Sequence, residues 1–224
     1  MVDREQDNDV VNVRHFFDGY AEDFSSIYKE DTKKRSSFNT LMDKLFRKDI
    51  ESRFSTTIAL TDNDSINSIL DIGCGPGHFV VRFLEQGKDV TALDIAPRML
   101  EITKRRVESM QVNSRFVTIL ADYSEYTFSK TFDAACVMGV FDYVQDPVTF
   151  LKKLLLDIDK EIYISIPDNK GLLAWQRRLR YKIRKCPLYL YSRNQLEDCL
   201  KKADCYDLAE IEELERGYYV LIRK

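Results

Sequence analysis

The sequence predicts an α/β protein with a mostly parallel sheet and helices on both faces. Three observations carry this. Apolar strand-like runs alternate with helix-patterned segments from about residue 67 to 167. A loop with glycine at alternate positions, Gly73-Cys74-Gly75-Pro76-Gly77, follows the first run directly. The first two runs each carry an aspartate at or near their end, Asp71 and Asp94.

The elements read in order as follows. Residues 1–9 are polar and acidic, are not a secretion signal, and are expected to fray. Val11, Val13, Phe16, Phe17, Tyr20, Phe24 and Ile27 are close to helical spacing over 11–29. Phe38, Leu41, Met42, Leu45, Phe46 and Ile50 give a second helix over about 36–54. Strands are expected near 67–72, 89–94, 115–120, 132–138 and 160–166, with helices near 77–86, 97–110 and 147–157. Pro97 and Pro147 suit first helical turns, where a missing amide hydrogen costs nothing. After Pro167 come a basic helix near 171–184, a helix near 193–203, and two runs, Asp207–Leu214 and Tyr218–Ile222, with Gly217 at the turn.

Length and composition bound the rest. With 224 residues, 44% of them apolar, one domain is expected across 1–224. A net charge of −3 implies no general attraction to nucleic acid. The five cysteines are odd in number and lack metal-ligand spacing, so reduced thiols and a cytoplasmic location are expected, with no metal. No apolar run reaches the roughly 18 residues of a membrane span.

The loop's chemistry selects a ligand. Its glycines let a backbone approach closely, but Asp71 would repel a pyrophosphate and welcome an ammonium group. Asp94, 21 positions after Gly73, ends the next strand where a ribose-binding acid belongs.

Asp71-x-Gly73-x-Gly75-x-Gly77 with Asp94 resembles the class I S-adenosylmethionine-dependent methyltransferases, and differs from the G-x-G-x-x-G loop of Rossmann dehydrogenases. The likeness covers about 67–167, and within the class it points toward small-molecule enzymes related to ubiquinone and menaquinone methyltransferases. It implies a Rossmann-like seven-stranded sheet with its last strand antiparallel. Residues 1–60 become a helical lid, 67–167 the cofactor core, and 168–224 the acceptor-side helices and terminal hairpin. It implies S-adenosylmethionine as cofactor and S-adenosylhomocysteine as product. Asp71 would meet the methionyl ammonium, Asp94 the ribose and Asp122 the adenine, with Gly73, Cys74, Gly75, Gly77, Ile95, Tyr123 and Met138 also binding the cofactor. Met138 to Tyr143 would line the methyl site. Asp142, Tyr143, Tyr20 and His15 are the candidates for catalysis, and Tyr143 departs from the histidine that many relatives carry there. Residues 17–31 also resemble magnesium-protoporphyrin methyltransferases.

The implied reaction is methyl transfer to a small-molecule acceptor, by family frequency at oxygen. Six cations lie within 177–185, where Leu172, Trp175, Leu179 and Ile183 make one apolar stripe and leave a cationic opposite face. They suit an anionic or lipid-like acceptor, or contact of the 171–185 helix with a membrane surface. The absence of an Asn/Asp-Pro-Pro-aromatic motif disfavours nucleic-acid substrates. A nucleotide-dependent oxidoreductase and a non-catalytic partner subunit are the alternatives.

Overall fold

β1 (Ser68–Ile72) lies at the centre of a seven-stranded sheet, and its apolar residues supply both faces of the core. The computed structural model describes residues 9–19, 51–111, 113–170, 175, 178–179, 181–183 and 186–224. The other strands are β2 (Asp89–Asp94), β3 (Phe116–Leu120), β4 (Phe132–Val137), β5 (Ile158–Pro167), β6 (Ala209–Leu214) and β7 (Gly217–Arg223). Their order is β3-β2-β1-β4-β5-β7-β6. Pairings from β3 across to β5 are parallel, and β7 is antiparallel to both neighbours. This is the predicted fold, terminal hairpin included.

The chain leaves β1 toward β2 on one side and reaches β4 on the other. Such a reversal opens a crevice at the carboxyl ends of the strands. The glycine loop and the acids at the strand ends therefore share one edge.

Period-two alternation divides the core into two layers. Ile69 faces one layer with Val90, Ala134 and Cys136, under α3 (His78–Glu85) and α4 (Pro97–Glu108). Leu70 and Ile72 face the other with Ala135 and Val137, under α5 (Pro147–Asp157) and α6 (Arg193–Lys202). Pro97 and Pro147 are first helical residues, as expected. Asp146 caps α5 by accepting from the Thr149 amide at 3.0 Å. Ser192 and Gln195 form a reciprocal capping box on α6.

Below the sheet, Asp133 fixes the register of three strands. Its carboxylate accepts from the Asn67 and Ser68 amides (2.8 and 2.9 Å) and pairs with Lys160 (2.7 Å).

Gly217 opens β7 opposite Pro167 with φ of 158°. A Cβ there would lie 2.2 Å from the Ile166 carbonyl oxygen, a backbone atom that cannot move aside. Gly217→Ala is expected to lower stability by about 3 kcal/mol, read as a lower urea midpoint at unchanged slope.

The N-terminal elements differ from the sequence reading. Helix α1 is seen at residues 9–19, and residues 20–29 of the expected first helix lie outside the described residues. So do residues 36–50 of the expected second helix. The helix observed there, α2, occupies 51–61 and continues past the predicted end at Phe54. Its Thr57 and Thr61 are fully buried, Thr57 paired with the Tyr219 hydroxyl at 2.9 Å. These tertiary partners carry the helix beyond its apolar stripe. Among the described residues, no helix is long and apolar enough to cross a membrane.

Candidate functional site

The three loop glycines have positive φ, and their surroundings differ. A Cβ on Gly73 would lie 2.2 Å from Val140 Cγ2, and one on Gly77 would lie 2.6 Å from Thr103 Cγ2. A Cβ on Gly75 would meet nothing within 4 Å. Gly73 and Gly77 are therefore required for packing inside the protein, and Gly75 faces open space.

The loop is tied down from behind. The amides of Gly73 and Cys74 both donate to the Leu93 carbonyl (2.7 and 3.1 Å). The Thr103 hydroxyl donates to the Gly75 carbonyl at 2.8 Å. The Gly75 amide donates to Asp94 Oδ2, and the Ala96 amide to Asp94 Oδ1, each at 2.8 Å. Asp94 is thus held by backbone donors on both oxygens, with further lone pairs left to accept.

Asp71 is buried beneath the loop, between β2 and β4. The Cys136 thiol donates to its carboxylate, but Oδ2 is buried without a hydrogen-bond partner among the described residues. Burial pushes Asp71 up to about 7, against the Cys136 bond and with help from the charge of Asp94. Burial likewise raises Asp94 to about 6, opposed by its backbone donors and assisted by Asp18. Two crowded, desolvated carboxylates make a site that gains from the arrival of positive charge.

Helix α1 crosses the carboxyl edge above this pair. At one end the Tyr189 hydroxyl donates to Asp9 at 3.3 Å. At the other, the Arg98 amide donates to Asp18 at 3.3 Å, and Phe17 packs on Ala96 and Met99. Between them, Phe17 stands edge-on to Tyr143 (centroids 5.3 Å apart) and Phe16 lies against Tyr181 (5.4 Å). The Tyr143 and Tyr181 hydroxyls are 3.0 Å apart. An aromatic roof covers the turn after β4.

The predicted residues divide accordingly. Asp71, Gly73, Gly75, Gly77 and Asp94 converge at the loop. Ile95 and Asp122 are partly exposed at the ends of β2 and β3, where the Ala121 amide donates to the Asp94 carbonyl at 3.2 Å. Asp122 turns one oxygen to the Ser124 amide at 2.8 Å. Met138 is half-buried at the end of β4. Asp142 and Tyr143 sit in a short 3-10 turn (Phe141–Tyr143), Asp142 buried and Tyr143 facing α1.

Three expectations change. The Tyr123 side chain lies in the core, its hydroxyl donating to Asp157 at 2.8 Å and its ring against Phe150, so it offers no side-chain contact to a ligand at the loop. Cys74 has its side chain buried in the α3 layer and both backbone groups engaged, making it a spacer in the loop. His15 is exposed on α1 while Phe16 and Phe17 face the site, so it is not placed as a base. Tyr20 lies outside the described residues.

His78 lies 3.0 Å from Arg106, and burial, with the guanidinium charge, lowers it to about 4; it is neutral near pH 7. Sequence reasoning missed Thr103, Tyr189 and the inward-facing Tyr181, and for Val140 it gave the segment but not its contact with Gly73. It also missed Ser165, whose hydroxyl accepts from the Gly139 amide at 2.8 Å. None of them belongs to a local pattern.

The site can hold a cationic nucleoside. The orphaned Asp71 oxygen suits an ammonium group, the space over Gly75 admits a ligand against bare backbone, and Asp94 suits vicinal hydroxyls.

Comparison with known proteins agrees with this chemistry. The family described as "Methyltransferase domain" matches residues 69–155, which include the loop, both acids and the 3-10 turn. The chain is 37% identical over 86 residues to the ubiquinone biosynthesis O-methyltransferase of Methylocella silvestris, covering 38% of this chain and 32% of that one. It is 33% identical over 89 residues to a probable (S)-tetrahydroprotoberberine N-methyltransferase of Papaver bracteatum, covering 39% and 25%. The chain thus spans about a third or less of the length of these relatives. It shares its fold with the magnesium protoporphyrin IX methyltransferase of Synechocystis PCC 6803, solved with bound S-adenosylhomocysteine. The TM-score is 0.73 at 14% identity, covering 96% of this chain and 99% of that one. Loop, acids and sheet order coincide with the matched segment: residues 69–155 match a methyltransferase domain, and the chain around them is similar in fold to S-adenosylmethionine-dependent methyltransferases.

Proposed function

We propose that the chain binds S-adenosylmethionine between Asp71 and Asp94 and transfers its methyl group to an oxygen of a small, lipid-like or anionic acceptor. The observation that carries this is the buried Asp71 oxygen, without a partner among the described residues, in the strand that leads into the glycine loop with Gly75 open to space. A carboxylate so placed is costly unless a cation completes it. It disfavours a pyrophosphate cofactor, and with it the oxidoreductase alternative.

Each residue has a role in this reading. Asp71 meets the ammonium group, Asp94 the ribose hydroxyls, and Asp122 the adenine edge. The cofactor supplies an activated methyl group on a positively charged sulfur, with a neutral thioether as leaving group. The protein's task is then alignment and exclusion of water. Phe16, Phe17, Tyr143 and Tyr181 form the roof that excludes it. In this reading Tyr143 and Asp142, in the turn after β4, orient the acceptor or hold its proton.

The aromatic roof favours an acceptor with an apolar body. Arg178 and Lys182, the two cations of the basic helix that are described, are exposed. Arg177 and Arg180 lie outside the described residues. The relatives include both O- and N-methyltransferases, so the choice of oxygen rests on family frequency alone.

The test has two parts. Calorimetry with S-adenosylmethionine, S-adenosylhomocysteine and NAD should give binding for the first two alone. A radiolabelled methyl-transfer screen against extracted metabolites should label a small, organic-soluble product. Binding of NAD instead, or binding of the sulfur nucleosides with no labelled product, overturns the reading.

A further inference from the structure

The helical segment after β5 turns its large apolar side chains outward. Trp175, Leu179 and Ile183 are 59%, 46% and 74% exposed. Their spacing of four places them in one stripe. Tyr181 lies about 160° around the helix from Leu179 and Ile183, and packs inward on Phe16 and Tyr143. The sequence reading put a cationic face opposite the stripe; in the structure the opposite face carries Tyr181 as the anchor, the described stripe residues face away from the protein, and Arg178 and Lys182 lie beside them. Leu172 lies outside the described residues.

The surroundings of the stripe are basic. Arg178 and Lys182 flank it and are exposed. No acidic residue occurs in the sequence between Asp168 and Glu197, while 177–185 holds six cations. The chain as a whole carries −3, so this positive charge is local. Exposed apolar residues in a monomeric surface are ordinary when scattered. Three in register on one helix, with cations beside them and an indole among them, match a helix lying in a lipid interface.

We propose that the face formed by Trp175, Arg178, Leu179, Lys182 and Ile183 docks on an anionic membrane surface. The apolar stripe enters the headgroup and acyl boundary, and the cations meet lipid phosphates and carboxylates. Because Tyr181 on the same helix forms part of the aromatic roof, docking brings the candidate acceptor site next to the lipid. The inference stands on exposure and charge alone and does not depend on the methyl-transfer reading.

Trp175 is the only tryptophan in the chain, so the experiment reads the surface directly. Purified full-length protein is titrated with vesicles of equal parts phosphatidylglycerol and phosphatidylcholine, and separately with phosphatidylcholine alone. The expected result is a blue shift of Trp175 emission and co-sedimentation with the anionic vesicles only, weakened by salt. The variants Leu179→Glu with Ile183→Glu, and Arg178→Glu with Lys182→Glu, should each lower vesicle binding about tenfold or more. Both should keep the wild-type melting temperature and affinity for S-adenosylhomocysteine, which separates lost docking from lost folding.

Three results overturn the proposal. One is the absence of a shift with anionic vesicles. Another is an equal shift with soluble heparin, which identifies a polyanion site needing no apolar insertion. The last is a shift that follows protein concentration and tracks a dimer in sedimentation velocity, which assigns the face to a second copy of this chain.

Discussion

Asp94→Ala is expected to weaken S-adenosylmethionine binding by about 2–3 kcal/mol, a loss of roughly thirtyfold to over a hundredfold. Two effects combine. The ribose hydroxyls lose a charged acceptor, and the amides of Gly75 and Ala96 lose the groups that aim the loop. Asp94→Asn should fall between the two, because an amide accepts on one side only and turns a donor toward one of those N–H groups. Calorimetry gives the affinities, and a melting curve for each variant checks that the sheet is intact. Wild-type affinity in the alanine variant would remove Asp94 from the site.

Asp71→Asn should move stability and binding in opposite directions. The folded protein holds Asp71 at about 7 against an ordinary 3.8, so between those values the native state binds the extra proton. Stability contributed by this group therefore falls as pH rises from about 4 to about 7, and stays low above it. Asp94, raised to about 6, adds a fall of the same sign over the lower part of that range. Asparagine carries no charge to desolvate and still accepts from the Cys136 thiol. The variant should be about 2–4 kcal/mol more stable than wild type at pH 8, with the difference vanishing near pH 4. Urea midpoints across that range test this. The same substitution should weaken cofactor binding at pH 8 by tenfold or more, since a cation loses its counter-charge. Wild-type binding should weaken as pH falls below about 7, when Asp71 takes up its proton. A variant that is no more stable, and binds as wild type does, would make Asp71 an ordinary buried acid.

The residues legible in the sequence share one property: their signal is local. Parallel strands announce themselves as apolar runs, Pro97 and Pro147 mark helix starts, and alternate glycines mark a close approach. Asp71 and Asp94 stand at fixed distances from those glycines. The illegible features are set by tertiary contacts. Thr103 and Val140 matter because of what a Cβ on Gly77 or Gly73 would strike, which no spacing reveals. Tyr123 follows the end of β3, and its side chain turns into the core instead of toward the ligand. The stripe of Trp175, Leu179 and Ile183 is a matter of period, readable at once. Its direction is fixed by Tyr181 meeting Phe16, more than 160 residues distant in the chain. In α2, buried threonines bonded to distant partners extend the helix beyond its apolar period.

The contact of Gly73 with Val140 joins two regions usually treated apart. Val140 immediately precedes the turn bearing Asp142 and Tyr143, so the glycine loop and that turn press on each other. Neither can shift without displacing the other. A kinetic defect from altering Val140 is therefore expected to reach both the loop and the turn, and its position in the chain does not assign it to one ligand.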